Sequence, residues 1–260
     1  MMLSIFKTKF LTILKISIIT ATYNSAATIG TCIASVNEQT YSDIEHIIID
    51  GASNDNTLEI IKSMPNRVSK IVSEPDRGIY DAMNKGIKLA TGDIIGILNS
   101  DDQFYDNHVI KKIIFAFQDR NIDAVYGNLI YSYPSGKVAR ICKSKSFRPG
   151  LFSQSWTPPH PTFYCRKVLY EKFGLYKTDY IIAADVELML RFIEVNKIKT
   201  RYLNEFLVNM RKGGVSNQGI QSTIIITREI KKAFKENELP FNLIKYLLYK
   251  GLKAKEYFLR

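Results

Sequence analysis

The chain of 260 residues is 46% hydrophobic and 23% charged, a globular composition that excludes a disordered or collagen-like polymer. Its length suits one α/β domain with a smaller appended part. A net charge of +11 points to anionic lipid or to ligands that carry phosphate; with no helix-turn-helix, zinc-finger or RNA-stacking motif beside it, nucleic acid is set aside as a partner.

Residues Met1 to Leu14 interleave Leu3, Ile5, Phe6, Phe10 and Leu11 with Lys7 and Lys9. The stretch is too short for a span of about 20 apolar residues and reads as a basic leader before the first strand. Ile16 to Thr20 is a β-branched run that predicts a strand, and a helix is expected from about Ala26 to Glu38. The alternation then repeats: strand Ile44 to Asp50, helix Asn54 to Met64, strand Arg67 to Val72, helix Ile79 to Ala90, strand Asp93 to Leu98, helix His108 to Phe117. Continuous apolar strands between helices imply an α/β fold whose sheet is doubly wound and mostly parallel, with helices on both faces. Ligands in such sheets sit beyond the carboxyl ends of the strands.

After about Ala124 the pattern becomes α+β. Val125 to Tyr133 and Lys137 to Cys142 predict strands around the turn Pro134-Ser135-Gly136. A loop rich in proline (Pro158-Pro159-His160-Pro161) follows, then helices from about Arg166 and Asp185, and a last strand near Thr200 to Val208 that leads to Gly213-Gly214. From about Gln221 to Arg260 the chain reads as a basic helical tail, in which Ile230, Phe234, Ile244, Leu247 and Leu248 alternate with lysines. Two readings stand for it: a solvated helix face with ordinary core contacts, or a basic amphipathic surface on anionic lipid. Cys32, Cys142 and Cys165 form no CxxC pair or zinc-type cluster, which fits reduced thiols in a cytoplasmic protein.

Four polar clusters follow the first four strands: Thr20-Ala21-Thr22-Tyr23-Asn24, Asp50-Gly51-Ala52-Ser53-Asn54-Asp55, Glu74-Pro75-Asp76-Arg77-Gly78 and Asn99-Ser100-Asp101-Asp102. Singly, each has a structural reading as a helix cap or a turn. At one edge of one parallel sheet they form a polar pocket. The adjacent carboxylates of Asp101 and Asp102, ending an apolar strand, repel each other unless they share a cation, and a hard ion such as Mn²⁺ or Mg²⁺ fits. Neither Gly-x-Gly-x-x-Gly nor GxxxxGK[ST] occurs, so the phosphate cradles of the dinucleotide-binding and P-loop readings are missing.

These residues resemble the family 2 glycosyltransferases. The resemblance is carried by Ser17 to Asn24, by Ile49-Asp50-Gly51-Ala52-Ser53-Asn54-Asp55-Asn56-Thr57, by Asp76 to Gly86, by Gly92-Asp93 and by Leu98 to Asp102. It runs from about Lys15 to Ser216 and is nearest the bacterial O-antigen and capsule branch. It implies a GT-A fold and an inverting transfer of sugar from a nucleoside diphosphate, with uridine favoured, onto a saccharide acceptor, polyprenyl-diphosphate-linked in that branch. Residues 15–124 would bind the nucleotide-sugar, and residues 125–220 would hold the acceptor and the base. Thr22, Tyr23 and Asp50 would lie at the nucleoside, Arg77 near the base or the diphosphate, and Asn99 and Asp101 at the DxD-type motif. Asp101, with Asp102 beside it, would hold Mn²⁺ or Mg²⁺; Asn99 replaces the commoner first acid.

The resemblance also places the catalytic base at Asp185 of Ala183-Ala184-Asp185-Val186-Glu187, where many relatives carry a second acid at the position of Ala184; a helix cap is the structural alternative, and Glu187 is the reserve carboxylate. With a carboxyl pKa near 4, proton transfer to this base is expected to be late. His160 is a candidate for the acceptor site, the metal or a loop hydrogen bond. Arg211, Lys212 and Ser216 flank Gly213-Gly214 in a loop suited to closing over a diphosphate. The competing readings are a non-catalytic saccharide- or lipid-binding relative and a sugar-nucleotidyltransferase, which would need an early Gly-rich basic loop. For an enzyme of this kind, the cytoplasm or the inner face of the cytoplasmic membrane is the expected place.

Overall fold

Strands β1 (Ile16–Thr22) and β2 (Ile44–Asp50) are buried along their whole length, because helices cover both faces of the sheet they share. The computed structural model describes residues 12–212 and 220–258. Most of the Met1–Leu14 leader, and Gly213, Gly214 and Ser216 of the expected closing loop, lie outside the described residues.

Helix α1 (Ile29–Asn37) connects β1 to β2, α2 (Thr57–Ser63) connects β2 to β3 (Val68–Ser73), and α3 (Ile79–Leu89) connects β3 to β4 (Ile94–Ile97). β1 pairs in parallel with both β2 and β4, and β2 pairs in parallel with β3. The chain therefore moves outward from β1 to β3 and then returns to the other side of β1. That reversal between β1 and β4 leaves a crevice at their carboxyl ends.

Alternate residues of β1 enter different cores. Ile19 and Ala21 pack with Tyr80, Met83 and Ile87 of α3, while Ile16 and Ile18 pack with Cys32 and Val36 of α1 and with Ile113 and Phe117 of α4 (Val109–Phe117). α3 lies close on β1 because residue 86 is glycine; a Cβ there would run into the side chain of Ile19.

Past β4 the sheet becomes mixed. A two-residue strand, β5 (Gln103–Phe104), precedes α4, and the long β6 (Ala124–Ser132) forms a hairpin with β7 (Val138–Cys142). β8 (Tyr164–Arg166) slips antiparallel between β4 and β6, and Gly96 leaves room for the Tyr164 ring. The helix expected from about Arg166 begins after this strand, as α5 (Val168–Phe173). Helix α6 (Ala184–Met189) runs on through a π-helical turn (Leu190–Val195), and β9 (Thr200–Arg211) pairs with β6 and β5. The sheet order is β3-β2-β1-β4-β8-β6-β9-β5.

Two helices follow. α7 (Ile220–Glu236) buries Ile230, Ala233 and Phe234 in the same core as Trp156 and Phe192. α8 (Leu243–Phe258) is anchored there by Tyr246, while Ile244, Leu247, Leu248 and Leu252 stay exposed on it.

Candidate active site

A cleft of about 610 Å³ opens at the reversal between β1 and β4. Thr22 and Tyr23 reach it from the end of β1, Asn99, Ser100 and Asp101 from the end of β4, Asp76 from the loop after β3, and His160 and Asp185 from the second half of the chain. Residues separated by more than 160 positions in sequence thus line one cleft, since both halves contribute strands to a single sheet.

The loops after β1 and β2 are tied together. Asn24, in the left-handed region at φ 48, donates its backbone N–H to Ser53 Oγ (2.8 Å), and its side-chain oxygen accepts from Asn54 N (3.0 Å). Asp50 is fully buried behind these loops. It accepts from Ser53 N (3.0 Å), Ser53 Oγ (2.5 Å) and Ser73 Oγ (2.7 Å), so its carboxylate is consumed as a brace and does not line the cleft. The acid of these loops that does line the cleft is Asp76, of the third polar cluster. Its carboxylate lies over Gly51, where a Cβ would stand 2.6 Å from Oδ2 and 3.5 Å from the Tyr23 ring. The available signal was its position in a third loop at the same sheet edge.

Arg77, one residue on, points away. Its side chain is 78% exposed and pairs with Asp81 at 3.2 Å at the start of α3; it is not a cleft-lining residue.

The two aspartates after β4 divide their roles. Asp101 faces the cleft and also lines a smaller pocket of about 150 Å³ with Arg211, Gln103 and Tyr133. Burial raises its pKa, and the nearby His160 and Arg211 pull the other way. Asp102 is buried and accepts from Arg211 N (3.3 Å), which ties the end of β9 to the end of β4. Burial and the charge of Asp101 push the Asp102 carboxyl well above the ordinary carboxylate range. Thr22 Oγ1, Asn99 Oδ1 and Asp102 Oδ2 are buried polar atoms without a hydrogen-bond partner among the described residues, all at the ends of β1 and β4. Thr22 and Asn99 also line the cleft, where a water, an ion or a polar ligand can satisfy such atoms.

Asp185 is the second residue of α6. His160, in a 3₁₀ turn (His160–Thr162), stands 3.3 Å from it, Nδ1 to Oδ2. Burial raises the Asp185 pKa against the opposing influence of His160. The expectation of an ordinary carboxyl there is therefore corrected: desolvation makes Asp185 a stronger base than an exposed aspartate. Glu187, the reserve carboxylate, is corrected as well. It is fully buried and held by Arg191 (3.0 Å), Lys177 (3.1 Å) and Asn237 (3.2 Å), which fixes α6 and leaves it no part in the cleft.

The model of the family described as glycosyl transferase family 2 matches residues 17–176. This chain belongs to that family. As a family 2 glycosyltransferase it is 29% identical over 250 residues to a PGL/p-HBAD biosynthesis glycosyltransferase of Mycobacterium bovis, covering 92% of this chain and 91% of the relative. It is 32% identical over 178 residues to an uncharacterized glycosyltransferase of Mycobacterium tuberculosis, covering 68% of each. Among solved structures, S. aureus TarS 1-349 in complex with UDP-GlcNAc superposes with a TM-score of 0.66 at 17% identity, over 85% of this chain and 66% of that one. The chain spans 39% of the longer TarS chain. The mannosyltransferase PcManGT from Pyrobaculum calidifontis, in complex with GDP-Man and Mn2+, gives 0.65 at 19% identity over 91% and 69%. These likenesses show the GT-A fold.

The glycosyltransferase's own residues fit a divalent cation at Asp101. Two neighbouring carboxyls are destabilised in their charged form by burial, and one buried carboxyl oxygen lacks a partner. Among the described residues no group of three or more His, Cys, Asp or Glu is placed to hold an ion. The remaining ligands would come from water and substrate phosphate, the usual mode for Mg²⁺.

Proposed function

We propose that this glycosyltransferase is metal-dependent and inverting, and moves a sugar from a UDP-linked donor onto a hydroxyl held at Asp185. The observation that carries the reading is a single cleft lined both by Asp101, with the unpartnered Thr22 and Asn99 oxygens, and by a desolvated carboxylate, Asp185.

Tyr23 offers an exposed aromatic face, and Thr22, Asp76 and Asn99 offer polar atoms to the nucleoside and ribose. Asp101, with Asn99 next to it, would hold the ion, which when bound neutralises charge on the leaving diphosphate. The acceptor oxygen forms its bond to the anomeric carbon as the bond from that carbon to the phosphate oxygen breaks. The electron pair leaves with the nucleoside diphosphate, and the hydroxyl proton passes to Asp185. His160, 3.3 Å from Asp185, keeps it oriented, and its charge acts on both carboxylates. Only one carboxylate acts as base, which suits direct displacement without a covalent intermediate.

The acceptor side of this reading is a lipid-diphosphate-linked saccharide in bacterial surface-polysaccharide assembly, met at the inner face of the cytoplasmic membrane. The net charge of +11 and the exposed apolar stripe Ile244, Leu247, Leu248 and Leu252 beside Lys245 on α8 support a surface that rests on anionic lipid. No helix among the described residues is long and apolar enough to cross a membrane.

The test is nucleotide release from UDP-, GDP-, CDP- and dTDP-sugars by the purified protein, with and without Mn²⁺. Release from the UDP-sugars that depends on Mn²⁺ supports the reading; folded protein that releases none of the four overturns it.

A further inference from the structure

The stretch that carries Asp185 lies beyond residues 17–176 of the family match, and so does the helix that holds it. Glu229 lies on α7, is 8% exposed, and turns its carboxylate onto three consecutive backbone N–H groups. Ile181 N donates to Oε1 at 2.5 Å, and Ile182 N and Ala183 N donate to Oε2 at 3.0 and 2.8 Å. On its other side the same stretch is bound by Tyr80 of α3, whose hydroxyl donates to the Ile182 carbonyl and whose ring stacks on Tyr176 at 5.8 Å. The stretch ends at Ala183, the residue that opens α6, and Asp185 follows two positions later. Ile181, Ile182 and Ala183 all line the cleft.

Three successive N–H groups aimed at one buried carboxylate form charge-assisted hydrogen bonds, the stronger and more directional class. They leave the strap between Tyr176 and Asp185 little freedom to rotate. We propose that Glu229 is a positioning residue for the transfer reaction, clamping the 181–183 strap and thereby setting where the Asp185 carboxylate stands in the cleft. This rests on the reading of Asp185 as the base.

The arrangement gives α7 a second task beyond filling the core. Ile230, Ala233 and Phe234 bury the helix, and Glu229 is the point at which that burial reaches the reacting groups. The titratable and charged groups that face Asp185 are His160 from the 3₁₀ turn, Tyr80 from α3, Tyr176 from the loop before α6, and Glu229 from α7. His160 favours the ionised form of Asp185, and Glu229 disfavours it. Removing the Glu229 charge therefore lowers the Asp185 pKa, and the base form survives to lower pH.

The experiment compares Glu229→Gln and Glu229→Ala with Ile230→Val, a core change on the same helix that leaves the clamp intact. Nucleotide release and sugar transfer are measured across pH on folded protein, with melting temperatures recorded in parallel. Displacing a catalytic group by about 1 Å costs about a hundredfold in rate. The expected result is a fall in kcat of that order for Glu229→Ala with the donor KM unchanged. Glu229→Gln is expected to fall less and to move the acid limb of kcat to lower pH, and Ile230→Val to lower the melting temperature while leaving kcat and the limb in place. If both Glu229 variants match Ile230→Val, with lower melting temperature but unchanged kcat and limb, Glu229 is a core brace and the proposal is overturned. If wild-type protein turns over no donor, the Asp185 reading itself fails and the clamp with it.

Discussion

Asp185 and Glu45 are both poorly exposed acids, and the structure moves their pKa values in opposite directions. At Asp185 burial dominates and raises the pKa, so the base form is lost as pH falls through a value above the ordinary aspartate range. The kcat–pH profile is expected to show an acid limb above that range, and Asp185→Asn to remove at least about a hundredfold of activity with no limb left. At Glu45 burial also opposes ionisation. Hydrogen bonds from Ser17 Oγ (2.5 Å) and from Thr91 N (2.7 Å) and Oγ1 (2.8 Å), together with the charge of Lys15, outweigh it and bring the pKa from 4.5 to about 2. A depressed pKa contributes stability that is present above pH 4.5 and is lost as pH falls through about 2. Glu45→Gln should cost about 1–3 kcal/mol at pH 7, and thermal melts should show the gap to wild type closing in acid. Among the site residues, Asp101, Asp185, Thr22, Tyr23, Asn99 and His160 are brought to the cleft from positions legible in the sequence. Asp50 turns into its own loops while Asp76 lines the cleft, because a strand-end aspartate can turn into its own loop as readily as out of it. Which way it turns depends on Ser53 and Ser73, two hydroxyls whose position no periodicity reveals.

At the level of elements, the first four strands and the three helices between them follow from β-branched runs alternating with helical stretches. β5 and β8 were not legible. Strands of two and three residues carry no period, and each exists because a longer neighbour, β9 for one and β4 with β6 for the other, offers its edge. The burial of α7 is half visible in the sequence: Ile230 and Phe234 mark an apolar side, but the pattern does not say what that side meets. The contact of α3 with β1 depends on Gly86, since an added methyl would collide with Ile19 in a packed layer. Gly86→Ala is expected to destabilise the fold by about 1–3 kcal/mol through overpacking, read as a lower denaturant midpoint with an unchanged slope. A midpoint equal to that of wild type would show that the layer yields.

Across the whole molecule, two dissimilar halves share one sheet, and the cleft lies where they meet. The parallel half presents Thr22, Tyr23, Asp76 and Asp101; the mixed half presents His160 and Asp185; Glu229 of α7 holds the 181–183 backbone just before Asp185. On α8 four large aliphatic side chains remain in solvent, with Ile244 73% and Leu248 64% exposed, although Tyr246 between them is buried. Co-sedimentation with vesicles containing anionic lipid is expected for wild type and not for Ile244→Glu/Leu248→Glu, with donor turnover equal in both. Equal sedimentation of the two proteins would contradict the lipid-facing role. The central claim, that one cleft serves the nucleotide at Asp101 and the base at Asp185, is tested most directly by titrating UDP with Mn²⁺ into Asp101→Ala and Asp185→Asn. The expected result is loss of the Mn²⁺-dependent nucleotide affinity in Asp101→Ala alone, with Asp185→Asn binding as wild type while failing to transfer. Unchanged Mn²⁺-dependent binding by Asp101→Ala, or normal transfer by Asp185→Asn, would contradict it.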